Sequence, residues 1–423
     1  MIVRFSLYGF LKNQRYFEPF LFLAFLDKGL DFTDIGLLIA VRELTTNVLE
    51  IPSGAVADVI SRRWSMILSF AAYIAAFLAL GLADDMSLLY VGMLLFGVGE
   101  AFRSGTHKSM IFAWLRSENR EDERVKVYGY TRSWSKYGSA VSVALAAPIV
   151  MVTDRYEWIF FAAIIPYLLN MINLIGYPRA LDEIEGKAAS LPEVFGHIVS
   201  TLRESIRRPR LRRLFFESMG FDGVFTATKD YLQPVLAALA LTVAASWIVV
   251  EGWSETQREA LLVGPVYIVL HVLSGMASRR SHVVSDRAGH EDRAARWMWG
   301  VSALVFVGLT VSGVRGWLIG MVVGFVVLHV LHNLWRPVLI SRFDTHGDAG
   351  RGASLLSIES QARRLATIII APVLGFAVDQ ATAADGLSPW WPVGAIGLVC
   401  SVLFFATSFR GKAVRCDQGS GES

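Results

Sequence analysis

Ionisable and amide side chains recur at helical spacing inside long apolar stretches of this sequence. Glu43, Asn47 and Glu50 stand at positions i, i+4 and i+7, which places them along one face of a helix. A carboxylate that is removed from water favours its neutral form, so a carboxylate in a cavity that opens and closes can bind and release a proton. Glu43 and Glu50 are therefore our first candidates for proton coupling, and Glu100 and Asp222 are the other two.

Other stripes of the same kind carry positive charge. Arg103 and His107 are four residues apart in one apolar stretch, and Arg132 and Lys136 are four apart in the next. Arginine can hold a carboxylate or a phosphate through two parallel hydrogen bonds. A water-filled cavity lined by such side chains would select a solute with an anionic group. The candidate cavity residues from the whole chain are Glu18, Arg42, Asn47, Arg103, Arg132, Lys136, His329, His332, Asn333, Arg336, Glu359 and Arg363.

Other interpretations of these charges stay open. Glu–Arg pairs three or four residues apart can be structural clasps between helices, and cations near the ends of apolar stretches, such as Lys12, Arg15 and Lys108, can extend to lipid headgroups. Arg42 points about 100° away from its neighbour Glu43 on a helix, so we expect it to contact another helix.

The spacing of two histidines also admits a second kind of chemistry. His329 and His332 have the i, i+3 spacing that a metal site permits. No carboxylate lies on their helix face and no cysteine cluster occurs, so we favour packing or hydrogen bonding and expect no metal site.

The composition indicates which elements must hold these side chains. The 423 residues are 54% hydrophobic and 18% charged, and the mean hydropathy is +0.46. Such a chain is too apolar for a water-soluble protein of this length and needs lipid as solvent. No nucleotide-binding loop, zinc motif or nucleophile elbow occurs, so we expect no enzyme, no catalytic residue and no cofactor. A net charge of +3 is too small to indicate nucleic-acid binding.

Apolar runs long enough to cross a bilayer recur along the whole chain. They predict an all-α membrane protein with twelve transmembrane helices, arranged as two six-helix halves around a central cavity. We expect an N-terminal bundle at 1–178, a cytoplasmic linker with an amphipathic helix at 179–211, a C-terminal bundle at 212–410 and a tail at 411–423. The predicted spans are 6–27, 34–57, 64–83, 87–115, 125–151, 157–178, 212–240, 258–278, 296–313, 316–341, 352–378 and 389–409.

The loops give the orientation of these spans. Lysine and arginine concentrate in the loops after even-numbered spans, and acidic residues in the alternate loops. By the positive-inside rule, both termini are cytoplasmic. We expect a multi-pass monomer whose partners are the lipid bilayer, a small-molecule solute and protons.

One loop carries a recognisable sequence. The segment EIPSGAVADVISRR, from Glu50 to Arg63, ends an apolar stretch in a GxxxD turn followed by two arginines. A small residue allows close helix packing, and an acid and two cations suit the membrane boundary. The segment resembles the signature loop between the second and third helices of the major facilitator superfamily, with Ser61 at the family's usual glycine. The resemblance implies a cytoplasmic gate formed by Gly54, Asp58, Arg62 and Arg63.

Three further segments are similar to a bacterial branch of this superfamily: 8–19, 128–139, and 336–337 followed by 353–361. The resemblance covers nearly the whole chain and implies a secondary active transporter of the bacterial inner membrane, whose two halves rock about a midplane site. We expect proton-coupled export of an organic anion or an amphipathic metabolite or drug. A carrier of transition metals or metal complexes is one alternative, and a non-transporting membrane receptor or partner subunit on the same fold is another.

Overall fold

The computed structural model describes residues 1–59, 61–104, 106–178, 181, 196, 200, 203, 207–244, 252–346, 352–384 and 388–407. Every regular element in these ranges is helical. The helices form two compact units, Met1–Ser200 with Gln233–His271, and Thr201–Leu232 with Val272–Ser423. The expected linker at 179–211 lies largely outside the described residues, so its amphipathic helix stays a prediction.

The N-terminal half contributes eight helices to the first unit. Three of them begin with a side-chain cap. Asp31 Oδ1 accepts from the Asp34 amide at 2.8 Å, Ser61 Oγ from the Trp64 amide at 3.0 Å, and Asp85 Oδ1 from the Leu88 amide at 2.9 Å. The helices are α1 (Ile2–Lys12), α2 (Leu21–Asp27), α3 (Phe32–Val59), α4 (Arg62–Leu82), α5 (Met86–Arg103), α6 (Thr106–Ser117), α7 (Arg124–Thr153) and α8 (Trp158–Ile175).

The second half of the chain continues in the same all-helical manner. Its first predicted span is a chain of short elements, joined by a π turn at Met219–Gly223 and a 3-10 turn at Lys229–Tyr231. The helices are α9 (Pro209–Ser218), α10 (Val224–Thr228), α11 (Leu232–Ala244), α12 (Glu255–Arg279), α13 (Ser281–Ala288), α14 (Glu291–Val314), α15 (Leu318–His346), α16 (Gly352–Ala383) and α17 (Trp391–Thr407).

Three predicted spans are interrupted where we expected continuous helices. The first span is α1 and α2 with a non-helical segment at 13–20 between them, and the fourth ends its first helix at Ser104, whose backbone is extended. The span predicted at 212–240 contains the π and 3-10 turns. Backbone of this kind at membrane depth is tolerated where it is buried in protein or lines a cavity.

Length and composition test the membrane assignment directly. Within the described ranges, eight helices are long and apolar enough to cross a membrane, and Trp391–Thr407 is a shorter apolar helix. Most of the other predicted spans are broken or carry more charge, as α3 does with Arg42, Glu43 and Glu50. The membrane fold is confirmed, and the count of twelve spans stays a prediction.

Aromatic side chains fill the core of each unit. In the first unit, Tyr167 packs edge-to-face on Phe77 with ring centroids 4.9 Å apart. In the second, Phe221 stacks on Trp335 at 4.6 Å, and Trp299 packs against both rings. These large rings bury most of their surface and fix the helices that carry the charged residues.

Candidate functional site

A cavity of about 440 Å³ lies within the first unit, between α1, the end of α5, α6 and α7. Five of its described lining side chains are cations, and no described lining residue is a carboxylate. Hydroxyl, amide and aromatic groups complete the wall. The lining residues are Phe5, Tyr8, Gly9, Lys12, Asn13, Arg103, His107, Lys108, Ile111, Tyr128, Thr131, Arg132, Ser135, Lys136 and Ser139.

Close packing of α1 on α7 forms one wall of this cavity. A Cβ atom placed on Gly138 would lie 2.3 Å from the carbonyl oxygen of Phe10, so only glycine allows this approach. At the end of α1, the side-chain amide of Asn13 donates to the carbonyls of Gly9 at 2.9 Å and Ser135 at 3.0 Å. These bonds satisfy backbone groups where α1 stops and fix its register on α7.

The two cations of α7 are placed as the helical spacing predicts. Arg132 and Lys136 lie one turn apart on an unbroken helix and both line the cavity. Neither has an ion-pair partner among the residues that the structure describes. Lys12 and Lys108, which can also extend to lipid headgroups, line the same cavity. The break after α1 explains Lys12, because it ends that helix inside the protein.

Aromatic rings contribute a further part of the cavity lining. Tyr8 stacks on His107 with ring centroids 3.6 Å apart and an interplanar angle of 15°. His107 Nε2 lies 3.3 Å from the Tyr177 hydroxyl. The ammonium of Lys108 stands 5.6 Å from the ring centroid of Tyr128, within cation–π range. The histidine is thus held in place by rings, and the lysine is directed along the aromatic wall.

Glu100 is half-buried and is the centre of an ion cluster. Arg103 pairs with it, Arg15 Nη2 lies 3.4 Å from its Oε1, and the Tyr73 hydroxyl donates to its Oε2 at 2.5 Å. Two arginines share this one carboxylate, so a positive charge remains in excess beside the cavity. The predicted stripe from Glu100 to His107 does not form on one helix, because α5 ends at Arg103.

The acidic stripe of α3 lies against α5. Arg42 donates to Glu43 Oε1 from Nε at 3.1 Å and from Nη2 at 2.9 Å. Our expectation that Arg42 does not pair with Glu43 is therefore wrong, since its long side chain spans the angular offset. Its guanidinium also lies 5.7 Å from the ring centroid of Phe96 on α5, so it does contact another helix. Glu50 Oε1 accepts from the Ser104 hydroxyl at 3.2 Å. Asn47 Oδ1 between them is buried and has no hydrogen-bond partner among the described residues.

The second unit holds a separate cluster of charges. Arg336 Nη1 lies 2.5 Å from Asp222 Oδ2 and 2.6 Å from Glu359 Oε1. His332 Nε2 lies 3.1 Å from Asp222 Oδ1, and the Ser218 hydroxyl donates to Glu359 at 2.5 Å. The sequence argument considered only the histidines' own helix face, whereas Asp222 reaches His332 from another element.

The remaining predicted cavity residues of this half lie on α15 and α16. His329 is buried, and its Nδ1 lies 2.8 Å from the Phe325 carbonyl. The Asn333 amide donates to the His329 carbonyl at 2.9 Å. Arg363 lies one turn after Glu359 on α16, and its Nε has no hydrogen-bond partner in the described part of the chain. Those residues also contain no group of three or more His, Cys, Asp or Glu side chains that could hold a metal.

The predicted gate residues are described in part. A Cβ atom on Gly54 would meet nothing within 4 Å among the described residues, so the expected close packing is not found there. Arg63 donates to the Tyr177 carbonyl at 3.1 Å, and Arg62 begins α4. The side chain of Asp58 lies outside the described residues.

Glu18 lies in the break of the first span. Its carbonyl accepts from Gln233 Nε2 at 3.0 Å, and Gln233 Oε1 accepts from the Phe22 amide at 2.8 Å. This fully buried glutamine satisfies one backbone group in the break and one in the helix that follows it. The carbonyl of Glu18 therefore helps to hold the non-helical segment of the first span in place.

Comparisons with known proteins agree with this architecture. The nucleoside transporter NupG matches with a TM-score of 0.75 at 12% identity over 97% of each chain. A POT family transporter in complex with 5-aminolevulinic acid matches with a TM-score of 0.69 at 14% identity, over 96% of this chain and 94% of that one. A search of curated proteins finds no match. The model of the Major Facilitator Superfamily covers residues 13–371. This confirms the resemblance and the fold class, and the chain belongs to the Major Facilitator Superfamily.

Proposed function

We propose that this protein is a secondary active transporter that moves a small organic anion or an amphipathic anionic metabolite across the bacterial inner membrane by alternating access. The observation that carries the proposal is the cavity of the first unit, with five cationic lining residues and no carboxylate among its described lining residues. Uncompensated charge inside a membrane protein is costly unless it meets water or an opposite charge. A bound anion would supply that charge.

The size and charge of the cavity set limits on the solute. A volume of about 440 Å³ falls within the range of small-molecule sites. Glu100 can offset only one of its two arginine partners, Arg15 and Arg103. The other cations, Lys12 among them, remain available to hold carboxylate or phosphate oxygens, and the Tyr8–His107 stack offers a flat apolar contact.

Orientation supports export. The positive-inside rule places the start of α1 and the start of α7 on the cytoplasmic side, and both segments contribute to the cavity wall through Phe5 and Tyr128. A solute would therefore load from the cytoplasm. Asp58, Arg62 and Arg63 then act as the gate on that side, and the transporter works as a monomer.

A proton is the proposed coupling ion. Carboxylates at membrane depth can carry it, since closing the protein around a carboxylate favours the neutral form. Glu43, Glu50, Glu100 and Asp222 are the candidates, and their partners differ. Glu43 and Glu100 are bonded to arginine, whereas Asp222 also contacts a histidine.

The test is a ligand-stabilisation screen of the detergent-purified protein, followed by flux. Benzoate, succinate, citrate and glycerol 3-phosphate are compared with choline and Zn²⁺ at two pH values. A ligand at a hundredfold excess over its Kd adds about 2.7 kcal/mol of stability. We expect stabilisation by at least one anion, and uptake of that radiolabelled anion into proteoliposomes under a pH gradient.

The controls separate the competing functions. Stabilisation by Zn²⁺ alone would contradict the proposal and support a metal carrier. Stabilisation by an anion without any flux would support a receptor on the same fold. Stabilisation by choline alone would refute the proposal that the cavity binds an anion.

A further inference from the structure

The charged cluster of the second unit differs in composition from every other buried ion pair described above. Asp222 is completely buried and Glu359 is 1% exposed. Both carboxylates bind the same guanidinium, that of Arg336, at 2.5 Å and 2.6 Å. The imidazole of His332 is the remaining group in contact, 3.1 Å from Asp222 Oδ1. The cluster therefore joins two acids, one fixed cation and one titratable base.

The backbone at Asp222 is irregular. Asp222 lies in the π turn at Met219–Gly223, and local π geometry within helices is frequent at functional sites. A Cβ atom on Gly223 would lie 2.6 Å from Cβ of Ala366, so α16 packs directly on the turn. The stack of Phe221 on Trp335 holds the other side. The carboxylate of Asp222 is thus held against α15 and α16.

Charge balance distinguishes this cluster from the carboxylates of the first unit. Glu43 has one arginine at 2.9 Å, and Glu100 has two, so these acids are compensated while ionised. In the cluster, two carboxylates share one arginine and carry a net charge of −1 when His332 is neutral. A proton on His332 brings the summed charge of these four side chains to zero. Because uncompensated buried charge is costly, the excess negative charge of this cluster favours binding of a proton.

Other charged groups near the cluster do not remove this difference. Lys229 Nζ and Asp230 Oδ1 pair with each other at 2.8 Å. Arg363 follows Glu359 by one turn on α16, and no ion pair within 4.0 Å joins it to the described acids of the cluster. On α15, His329 lies 2.8 Å from a backbone carbonyl, and Asn333 is neutral.

We infer that the coupling proton binds in the C-terminal half, on His332 against Asp222. Its binding changes the contacts that Arg336 on α15 and Glu359 on α16 make with Asp222 and with each other. The inference rests on the proposed proton-coupled transport. The side chain of His332 is 20% exposed while that of Asp222 is 0% exposed, so the proton enters through the imidazole. When the proton leaves, Asp222 competes with Glu359 for Arg336. The proton thereby changes how the π turn is bonded to its neighbours.

The first test needs no transported solute. Purified protein with isotope-labelled histidine is reconstituted in lipid, and infrared difference spectra are recorded between pH 5 and pH 8, limits set at roughly the range in which histidine titrates. We expect an imidazole band in the parent that is lost in His332→Gln and kept in the matched variant His329→Gln. We also expect Asp222→Asn to shift the pH at which the His332 band appears. Both variants are checked for a monodisperse elution profile.

The second test measures coupling with radiolabelled succinate as the probe. In parent proteoliposomes we expect accumulation that changes about tenfold per pH unit of gradient, as one coupled proton requires. His332→Gln should exchange succinate across the membrane without accumulating it, and the surface variant His290→Gln should behave like the parent.

The two tests fail in different ways. An unchanged imidazole band in His332→Gln, or parent-like accumulation by that variant, would overturn the proton site. If succinate is not transported at all, the proposed solute is wrong, and the infrared result still decides whether His332 binds the proton.

Discussion

The two cations that α7 contributes to the cavity allow a direct test of the anion site. Arg132 and Lys136 line the cavity one turn apart and have no ion-pair partner among the described residues. Replacing each with glutamine removes the charge and keeps most of the side-chain length. A hydrogen bond to a charged group contributes about 1.5–3 kcal/mol. Each variant should therefore weaken anion binding about 10- to 150-fold.

The free energy of unfolding of the ligand-free variants should rise slightly or stay unchanged. Lys12 and Lys108 share the cavity wall with the two cations of α7, and like charges in one cavity repel each other. Neutralising Arg132 or Lys136 relieves part of that repulsion and breaks no ion pair with a described residue. A loss of affinity without a loss of stability is the behaviour expected of a binding site and not of a structural clasp.

Arg124→Gln is the matched control. Arg124 is on the same helix, and its ion pair with Glu121 at 2.8 Å is largely exposed, with side-chain exposures of 40% and 51%. Exposed pairs contribute about 0–1 kcal/mol, so we expect no change in anion affinity. Affinities are measured by isothermal titration with the anion found in the stabilisation screen. Parent-like affinity in both cavity variants, or an equal loss in Arg124→Gln, would refute the assignment of the cavity.

Two further predictions concern the packing that positions the sites. Gly138→Ala should lower the free energy of unfolding by about 1–3 kcal/mol, because its Cβ atom would lie 2.3 Å from the Phe10 carbonyl oxygen. Gly129→Ala on the same helix is the control, since its Cβ atom would meet nothing within 4 Å and should not destabilise the protein. Thermal denaturation in detergent compares the two variants. Arg342→Ala should cost about 3–5 kcal/mol, since Arg342 is 5% exposed and pairs with Glu217 at 2.6 Å and Asp292 at 2.9 Å. Equal denaturant midpoints for Arg342→Ala and the parent would show that this buried pair is not a structural clasp.

Helical periodicity predicted the site where the helix is continuous and failed where it is broken. Arg132 and Lys136 share a face because α7 runs without interruption from Arg124 to Thr153. The stripe that included Glu100 and Arg103 assumed a continuous fourth span, and α5 ends at Arg103. The composition of the sequence gives the apolar stretches, but the ends of helices inside the protein depend on partners such as Asn13 and Ser135, which lie far apart in the chain.

The members of the charged cluster of the second unit could be predicted only as separate candidates. Asp222 and Arg336 are 114 residues apart, and no periodicity connects two different helices. The sequence placed Asp222 on a regular helix, whereas the π turn changes the direction of its side chain relative to that expectation. A signal was present in retrospect, since Asp222 is flanked by two glycines, Gly220 and Gly223, which allow the close approach of Phe404 and Ala366.

The two breaks fall in equivalent places, since each interrupts the first predicted span of its half. Interrupted segments at corresponding positions of two repeats are the sequence feature that best marks a transporter's binding region. Here the first break follows Lys12 at the wall of the cationic cavity, and the second contains Asp222 of the charged cluster of the second unit. No described residue belongs to both sites. If the anion and the proton bind as proposed, their coupling is a free energy carried by the conformational equilibrium that both ligands shift.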